Sequence, residues 1–534
     1  MLNVRLPFPC GLREMHIEAI ENRFLSTVVN PALRTVISKF DVECERDGSL
    51  MVNSLRQFLG YDVSLCGRCR DLSRKVAKPF YEAGSRIMRA DKNFMKQHFL
   101  DPKYGDAWLK GFILMMKGIE KHGIRIPFTP AGPFEVVWNF TYLCNLKCKH
   151  CYQDAGKYRS ELSTEEAFLV IDKLSRIASV GLPALSFSGG EPLMRKDFFT
   201  VAAYARKRIP FLSIATNGTL LTQDNVKRLK DLDIDYVEIS LDGATKEVHE
   251  RFRGVPGCFE KTMQGIKNSV NEGLDTCIAT TIQKENLDEV EQILKLADDL
   301  DARFMHFNYI PTGRARNYVQ LDLTPDERLH VLENIGRRIV DLSIKAKEEE
   351  EKYGKTTVRV DRFFSTCPQY ASVVKRIAKN KKQEFAVSAH YAAMKGVENV
   401  ANFLGGCGAA RLYMCMEPNG DLKPCVFFPT NKDTVRGNIL KDNFDRIWDH
   451  DQLFWKLRTR DDLKSYEVDG QSFGCGSCED KYICGGCRAR SYSYFAGDIN
   501  CPDIGCVNNK QLWERFTKTE AWTEFCLSSN SNTM

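Results

Sequence analysis

Three closely spaced cysteines are the residues of this chain best suited to chemistry. Cys144, Cys148 and Cys151 form a CxxxCxxC pattern directly after the apolar run 134–138. Thiolates on one short loop can converge on an iron–sulfur cube, whose four irons usually take four cysteines. Three ligands leave one iron open to a small molecule, just as a catalytic zinc keeps a vacant position. The alternative is a zinc knuckle whose fourth ligand lies elsewhere, for instance His150.

Three polar motifs come after the triplet, each at the end of an apolar run. They are SFSGGEP at 186–192, TNGT at 216–219 and SLDG at 240–243. Together with CxxxCxxC they resemble the radical S-adenosylmethionine (SAM) superfamily, and the resemblance covers roughly residues 134–316. It implies that Cys144, Cys148 and Cys151 are the catalytic residues. They would hold a [4Fe-4S] cluster whose open iron binds SAM.

The resemblance also implies which residues touch SAM. The GGEP turn contacts the amino group in this family, and polar residues at the end of the fourth strand hold the ribose. An aromatic residue before the last cysteine often packs against the adenine. The predicted SAM-binding residues are therefore His150, Gly189, Gly190, Glu191, Asn217, Ser240 and Asp242.

The same resemblance implies a reaction. An electron passed from the cluster into the sulfonium of SAM leaves a 5′-deoxyadenosyl radical, which takes hydrogen from an unactivated carbon. The cofactors carry this step, and the protein orients them and excludes competing reactions. Such an enzyme needs a low-potential electron donor such as ferredoxin or flavodoxin, and anaerobic conditions.

Strands and helices alternate between residues 134 and 323, which predicts a parallel sheet with ligands at the carboxyl ends of its strands. The expected fold class is α/β, and the family fold is a partial (β/α)6 TIM-like barrel. Around it we expect a helical region at 1–133, a helical connector at 324–400 and a cysteine-rich domain at 401–534. Five apolar runs of strand type come after the triplet, at 184–188, 211–215, 236–241, 276–282 and 304–310.

The last third of the chain carries a second cysteine pattern, which resembles the SPASM domain with its two auxiliary [4Fe-4S] clusters. The resemblance brings the expected total to three [4Fe-4S] clusters. By that pattern one auxiliary cluster takes Cys407, Cys415, Cys425 and Cys487, and the other takes Cys475, Cys478, Cys484 and Cys506. Four cysteines close each cluster, which favours electron relay. The alternative is a zinc ribbon built from two CxxC pairs.

This pattern departs from the family in three places. The last pair of the quartet is spaced CxxC rather than CxxxC, which leaves open which cluster Cys487 serves. Cys501 competes with Cys506 for the final position, and we prefer Cys506. Val426 stands where sulfatase-maturating relatives have a basic aspartate, which argues against oxidation of a peptide alcohol.

Charge and composition bear on the partners and the location of the protein. Net charge is +6 from 76 basic and 70 acidic residues, which is too balanced to indicate nucleic acid. Twenty cysteines and no apolar leader within residues 1–30 predict metal or redox use in the cytoplasm. The helix predicted at 106–121 has lysines beside an apolar face, which suggests peripheral membrane contact. The alternative interpretation is an amphipathic helix that packs on the barrel.

Cys66 and Cys69 could be half a metal site with Cys10 or Cys44.

The sequence leaves three hypotheses for function. The first is maturation of a peptide or protein, the commonest substrate of relatives with a SPASM domain. The second is radical modification of a hydrophobic substrate, either a lipid chain or a porphyrin-type precursor. The third is a non-catalytic iron–sulfur electron carrier, against which the intact CxxxCxxC and GGEP motifs argue.

Overall fold

A computed structural model describes most of the chain, and a nine-stranded sheet is its centre. It describes residues 34, 37–38, 43–44, 48–88, 92–123, 125–157, 159–382, 386–388, 391–393, 405–468 and 470–517. Cys10 lies outside them. The strands are β1 (Glu135–Thr141), β2 (Ala184–Gly189), β3 (Phe211–Thr216), β4 (Tyr236–Ser240), β5 (Thr276–Ile282), β6 (Arg303–Asn308), β7 (Phe363–Ser365), β8 (Tyr413–Met416) and β9 (Leu422–Lys423).

The predicted barrel is present. Strands β1 to β6 lie side by side in chain order and run parallel, with helices as the crossovers. Ser163 and Glu166 form a capping box, which fixes the start of the first crossover helix. The crossover helices are Thr164–Leu174, Phe198–Arg206, Gln223–Asp231, Lys246–Arg253, Cys258–Asn271 and Val290–Asp299.

Three short strands extend the sheet beyond the six expected from the sequence. β7 pairs parallel with β6 at one edge, and β8 pairs parallel with β1 at the other. β9 then pairs antiparallel with β8. Exposed edge strands present unpaired backbone groups, and these additions cover both barrel edges. Because β8 comes from the cysteine-rich region, that region is part of the barrel sheet, and the domain boundaries stay predictions.

The concave face of the sheet is partly open. Residues that point outward, such as Val136, Val237 and Phe304, are fully buried beneath the helices. Their neighbours that point inward, such as Val137 and Glu238, keep partial exposure. Since successive side chains on a strand face opposite ways, this alternation indicates that the inner face, here called the lumen, is only partly filled. Asn139 and Cys277, which lie on the same inner face, are fully buried.

The N-terminal region packs on the barrel. Its helices are Leu50–Leu59, Gly67–Met88, Lys92–Phe99 and Gly105–His122. In the last of these, the apolar residues 112–116 that suggested a membrane surface are buried, as in the packing alternative. Lys117 Nζ donates to the Ala178 carbonyl (2.6 Å), and Lys121 Nζ lies 2.8 Å from Asp449 Oδ2. Within the described residues no helix is long and apolar enough to span a bilayer.

The C-terminal part is built from short elements around buried ion pairs. Arg328 lies 2.6 Å from Asp322, and Arg490 lies 2.8 Å from Asp503; all four side chains are fully buried. Removing one partner of such a pair is strongly destabilising, because the other charge is then buried without a partner.

The helices of the C-terminal part are Pro325–Tyr353, Tyr370–Asn380, Phe444–His450, Gln452–Arg458, Arg488–Tyr494 and Lys510–Thr517. Three antiparallel strand pairs lie outside the main sheet in the described residues. One is in the N-terminal region, Glu43–Cys44 with Gly48–Ser49, and two come later in the chain, Ala386–Ser388 with Tyr391–Ala393 and Ser465–Val468 with Gln471–Gly474.

Candidate functional site

The cysteine loop leaves the carboxyl end of β1 and is held on one side by the GGEP turn. Gly190 N donates to the Thr141 carbonyl (2.8 Å), and Glu191 N donates to the Leu143 carbonyl (2.7 Å). A side chain at Gly190 would overlap the carbonyl of Leu143, and Gly189 has a φ of +115°. Glycines are therefore needed here for close approach of two backbones.

A turn after β6 holds the other side of the loop. Arg314 N donates to the Cys151 carbonyl (2.9 Å), and Arg314 Nε donates to the Cys148 carbonyl (3.0 Å). A Cβ at Gly313 would overlap the backbone of Cys151 and Tyr152. The loop is thus fixed between β2 and β6, and its three sulfur atoms are presented as a set.

The three thiols share an apolar pocket with Leu146 and Cys258. Each sulfur atom has an N–H donor beside it: Leu146 N for Cys144 (3.4 Å), Ala155 N for Cys151 (3.4 Å) and Arg253 Nη1 for Cys148 (3.7 Å). Burial, followed by the neighbouring Cys148, raises the pKa of Cys144 to about 12. Clustered cysteine sulfurs with N–H donors form the donor set that suits an iron–sulfur cluster, so these residues fit the predicted group.

Asp242 and Arg253 form a buried ion pair next to the triplet. Arg253 Nη2 lies 2.7 Å from Asp242 Oδ2, and Asp242 Oδ1 accepts from Thr281 N (2.8 Å). Burial raises the pKa of Asp242, and the guanidinium opposes that rise. Arg253 therefore links a predicted SAM residue to Cys148. Its role was not predicted from the sequence, although an arginine soon after the SLDG motif was the available signal.

His150 packs flat against Phe252, with ring centroids 4.4 Å apart and an interplanar angle of 9°. Its Nε2 lies 3.7 Å from Asp242 Oδ2, while its buried Nδ1 has no hydrogen-bond partner among the described residues. Burial, helped by nearby Arg253, lowers the pKa of His150 well below its usual value. The imidazole is therefore neutral. The structure places this ring beside Asp242, and its contact with adenine stays a prediction.

Glu191 joins the ends of β2 and β3. Its Oε1 accepts from Thr216 Oγ1 (2.8 Å), and its Oε2 accepts from Asn217 N (2.8 Å). Burial raises the pKa of Glu191 to about 7, and these hydrogen bonds oppose the rise. Asn217 Nδ2 donates to Asn145 Oδ1 on the cysteine loop (2.8 Å). Ser240 ends β4 and is half-buried. The predicted SAM residues therefore gather at one edge of the sheet around the triplet.

Three cysteines of the first auxiliary set surround Tyr413 on β8. Tyr413 Oη donates to Cys425 Sγ (2.9 Å). Burial raises the pKa of Tyr413, and Cys425, Cys407 and Cys487 raise it further. Cys487 thus lies with Cys407, on the side that the family pattern gives it. The sulfur of the fourth predicted member, Cys415, accepts from Asn139 Nδ2 on β1 (3.4 Å). Burial raises the pKa of Cys415, and Glu417 and Cys425 raise it further.

The second auxiliary set has its own N–H donors. Arg488 Nη2 and Asp503 N both point at Cys475 Sγ, at 3.3 and 3.4 Å. Burial raises the pKa of Cys506, and Asp503 and the thiols of Cys475 and Cys478 raise it further. Burial also raises the pKa of Cys484, and nearby Cys506 and Cys475 raise it further. The competing cysteine, Cys501, faces Tyr466 Oη instead (3.5 Å). These contacts support Cys506 as the fourth ligand.

The lumen between the two cysteine regions holds groups that no sequence motif indicated. Glu417 Oε1 lies 2.6 Å from Lys423 Nζ, and both side chains are buried. Burial would raise the pKa of Glu417, yet Lys423 and two amide side chains lower it below its usual value. Phe427 contacts Tyr152 and Phe307, with ring centroids 5.6 and 6.5 Å apart. These three half-buried rings form one aromatic wall of the lumen.

Comparison with known proteins agrees with this geometry. The radical SAM superfamily matches residues 138–297, and an iron-sulfur cluster-binding domain of the SPASM type matches residues 407–488. The AdoMet-dependent heme synthase of Methanosarcina barkeri is 35% identical over 70% of this chain and 97% of its own length. The mycofactocin maturase MftC of Mycolicibacterium smegmatis is 30% identical over 70% of this chain and 83% of its own. The chain therefore belongs to the radical SAM superfamily, in its SPASM-containing branch.

A solved structure shares the fold. Streptococcus suis SuiB bound to S-adenosylmethionine has a TM-score of 0.55 over 87% of this chain and 94% of SuiB, with 15% sequence identity. The predicted class, a radical SAM enzyme with a partial barrel and a SPASM domain, is thus confirmed. SAM and iron–sulfur clusters are its cofactors.

Proposed function

We propose that this enzyme reductively cleaves SAM and uses the 5′-deoxyadenosyl radical to remove hydrogen from an unactivated carbon in the lumen. The observation that carries the proposal is the clustered triplet of Cys144, Cys148 and Cys151, with an N–H donor on each sulfur. When bound there, a [4Fe-4S] cluster supplies the electron and an open iron for SAM.

The chain's own residues position the cofactor and keep water out. Gly190 lets the cysteine loop approach β2, and Glu191 fixes the ends of β2 and β3. The predicted SAM contacts at Ser240 and Asp242 lie at the end of β4 on the same edge. Arg253 pairs with the buried carboxyl of Asp242 and opposes the rise in its pKa that burial causes, because an unpaired buried charge is strongly disfavoured.

We assign the SPASM cysteines as the residues that would hold two closed auxiliary clusters, which would supply a path for an electron leaving the substrate radical. The aromatic wall lies between the triplet and the cysteines around Tyr413, so a substrate in the lumen has a cluster site on either side. Cys415 stays in the first set as a prediction. The electron donor for the triplet cluster is a low-potential protein such as ferredoxin or flavodoxin.

For the substrate we favour the hydrophobic class, and within it a porphyrin-type precursor. Tyr152, Phe307 and Phe427 offer an aromatic wall, in which the ring of Phe427 is inclined by 70° to Tyr152 and by 59° to Phe307. Deeper in the lumen, burial and the nearby Glu135 raise the pKa of Glu238 to about 8, so this carboxyl is largely protonated at neutral pH. A protonated carboxyl can donate a hydrogen bond to a substrate carboxylate. Four relatives at 31–35% identity are named as AdoMet-dependent heme synthases or as Fe-coproporphyrin III synthase.

Peptide or protein maturation is the second candidate. It is favoured by the mycofactocin maturases, which match at 29–30% identity. The partly filled lumen would also admit one side chain of a peptide. Val426, buried behind Cys425, argues against the variant of this chemistry that needs an aspartate base at that position.

Anaerobic reconstitution tests the radical chemistry. Protein loaded with iron and sulfide should hold about twelve irons for three cubes. It should then release 5′-deoxyadenosine on addition of SAM and dithionite. A chain that keeps its full iron content and releases no nucleoside would refute the proposal. Omission of dithionite, or replacement of SAM by S-adenosylhomocysteine, which lacks the sulfonium, is the control.

A substrate panel separates the two substrate classes. Fe-coproporphyrin III should raise the rate of 5′-deoxyadenosine release and gain a mass change in the same reaction. A synthetic peptide encoded next to the gene is the competing probe. If the peptide is modified and the porphyrin is not, maturation replaces the porphyrin hypothesis while the radical chemistry stands.

A further inference from the structure

Three cysteines outside the radical site come together in the N-terminal region. The sulfur atoms of Cys44, Cys66 and Cys69 all lie within 4.8 Å of one another, and those of Cys44 and Cys66 are 4.0 Å apart. Their spacing in the sequence allowed Cys66 and Cys69 to be half of a metal site, with Cys10 or Cys44. The fold brings Cys44 to them across 22 residues.

The elements that carry these cysteines are well suited to a metal ion. Cys44 lies on the first strand of the hairpin Glu43–Cys44 and Gly48–Ser49. Cys66 directly precedes the helix Gly67–Met88, and Cys69 lies in its first turn. The positive end of a helix stabilises thiolates, which are the form that binds metal. Cys69 is buried, and the other two are partly exposed.

The spacing of the sulfur atoms distinguishes between kinds of site. Two thiolates on one tetrahedral zinc, each at about 2.3 Å, lie about 3.8 Å apart. The cysteines of an iron–sulfur cube bind different irons and are therefore spread more widely. A disulfide joins two sulfurs at about 2.05 Å and leaves the third cysteine out. The Cys44–Cys66 separation of 4.0 Å is close to that of two thiolates on one ion, and the sulfur of Cys69 lies within 4.8 Å of both.

We propose that Cys44, Cys66 and Cys69 supply three of the four ligands of a single structural zinc ion, separate from the predicted iron–sulfur clusters. Each thiol loses its proton to solvent as the metal binds. The ion links the hairpin to the helix Gly67–Met88. That helix packs on Gly105–His122, with Phe80 and Phe112 in edge-to-face contact at 5.9 Å. Since Gly105–His122 contacts the barrel, the zinc site supports the docking of the N-terminal region. This inference does not depend on the proposed radical reaction.

Metal analysis of the full chain, purified without oxygen, tests the proposal. We expect about one zinc per chain in addition to the cluster iron, and a zinc K-edge spectrum with a sulfur shell at about 2.3 Å. This measurement needs no variant, so it decides even if substitutions prevent folding. A zinc-free chain, a zinc shell of oxygen and nitrogen only, or a Cys44–Cys66 disulfide in the peptide map would overturn the proposal.

Matched variants locate the ion. Cys66→Ser and Cys69→Ser should each lower bound zinc more than about tenfold while iron per chain stays constant. Cys277→Ser, a buried cysteine on β5, is the control and should retain both metals. Loss of iron rather than zinc from the Cys66→Ser chain would show that the site holds iron. Loss of zinc from the control as well would show that the ion is bound elsewhere.

Discussion

The triplet loop and the SPASM cysteines both place N–H donors on sulfur, yet they are built differently. Cys148 Sγ accepts a hydrogen bond from Arg253, which also pairs with the carboxylate of Asp242. Cys475 Sγ accepts a hydrogen bond from Arg488, which also donates to the carbonyls of Ile499 and Cys501. The first arginine thus connects its sulfur to a predicted SAM residue, whereas the second ties its sulfur only to surrounding backbone.

This difference indicates the role of each region. Three cysteines at the mouth of the lumen leave room for a ligand, and the charged pair beside them can orient it. The four cysteines predicted for each auxiliary cluster would enclose it and leave no position for exchange. We therefore expect damage in the first region to stop SAM cleavage. Damage in the second region should stop only the conversion of the substrate radical into product.

Removing one cysteine from each region tests this directly. Cys148→Ser should lower 5′-deoxyadenosine formation more than about 100-fold, since even outer-shell partners of a metal site are worth 10–100-fold. Cys475→Ser should keep nucleoside formation within about tenfold but lose substrate product. Chromatographic measurement of both products provides the check. Equal loss of the nucleoside in the two variants would contradict the division of roles.

The two arginines sharpen the comparison. Arg253→Leu leaves Asp242 buried without its partner, which should destabilise the fold by about 3–5 kcal/mol. It should also abolish SAM binding. Arg488→Leu should leave SAM affinity unchanged and make the auxiliary cluster more labile. Thermal unfolding and SAM titration measure both effects.

Arg251→Leu is the control for Arg253, because Arg251 pairs with Glu285 at the surface, where an ion pair is worth about 0–1 kcal/mol. If Arg253→Leu behaved like Arg251→Leu, the SAM site would not depend on the buried pair.

The glycine turn tests whether the triplet depends on close backbone packing. Gly190→Ala should displace the cysteine loop, because the added Cβ overlaps the Leu143 carbonyl, and SAM affinity should fall about tenfold or more. Gly111→Ala, in the helix Gly105–His122, meets nothing within 4 Å. Alanine is favoured there by up to about 1 kcal/mol, so that variant should be neutral or more stable. Unchanged SAM binding by Gly190→Ala would argue against the tight loop.

The last prediction concerns the lumen, through the pH dependence of stability. The folded chain binds the Glu238 proton more tightly than the unfolded chain, since burial raises its pKa from 4.5 to about 8. Its contribution to stability is therefore lost as pH rises between those values. Glu238→Gln should flatten the fall in melting temperature over this range. Exposed Glu272→Gln should leave the curve unchanged, and a wild-type melting temperature independent of pH would contradict the prediction.

Local sequence signals predicted a large part of this molecule. CxxxCxxC, GGEP and SLDG are contiguous motifs, and the strands before them are short apolar runs, so their meeting at one edge is expected for a parallel sheet. The prediction of six strands was incomplete. β7, β8 and β9 have two to four residues each, too few for a periodic pattern, and their pairing with distant strands is a property of the assembled sheet.

The identity and order of residues determined that three cysteines, a glycine turn and strand-end carboxylates exist in the right sequence for SAM chemistry. Only the tertiary structure decided that Arg253 joins Asp242 to Cys148, and that Cys506 rather than Cys501 faces the auxiliary thiols. It also decided that Cys44 meets Cys66 and Cys69. Contacts of this kind join residues on separate elements. They cannot be predicted from spacing in the sequence, because the packing of the intervening elements decides which residues meet.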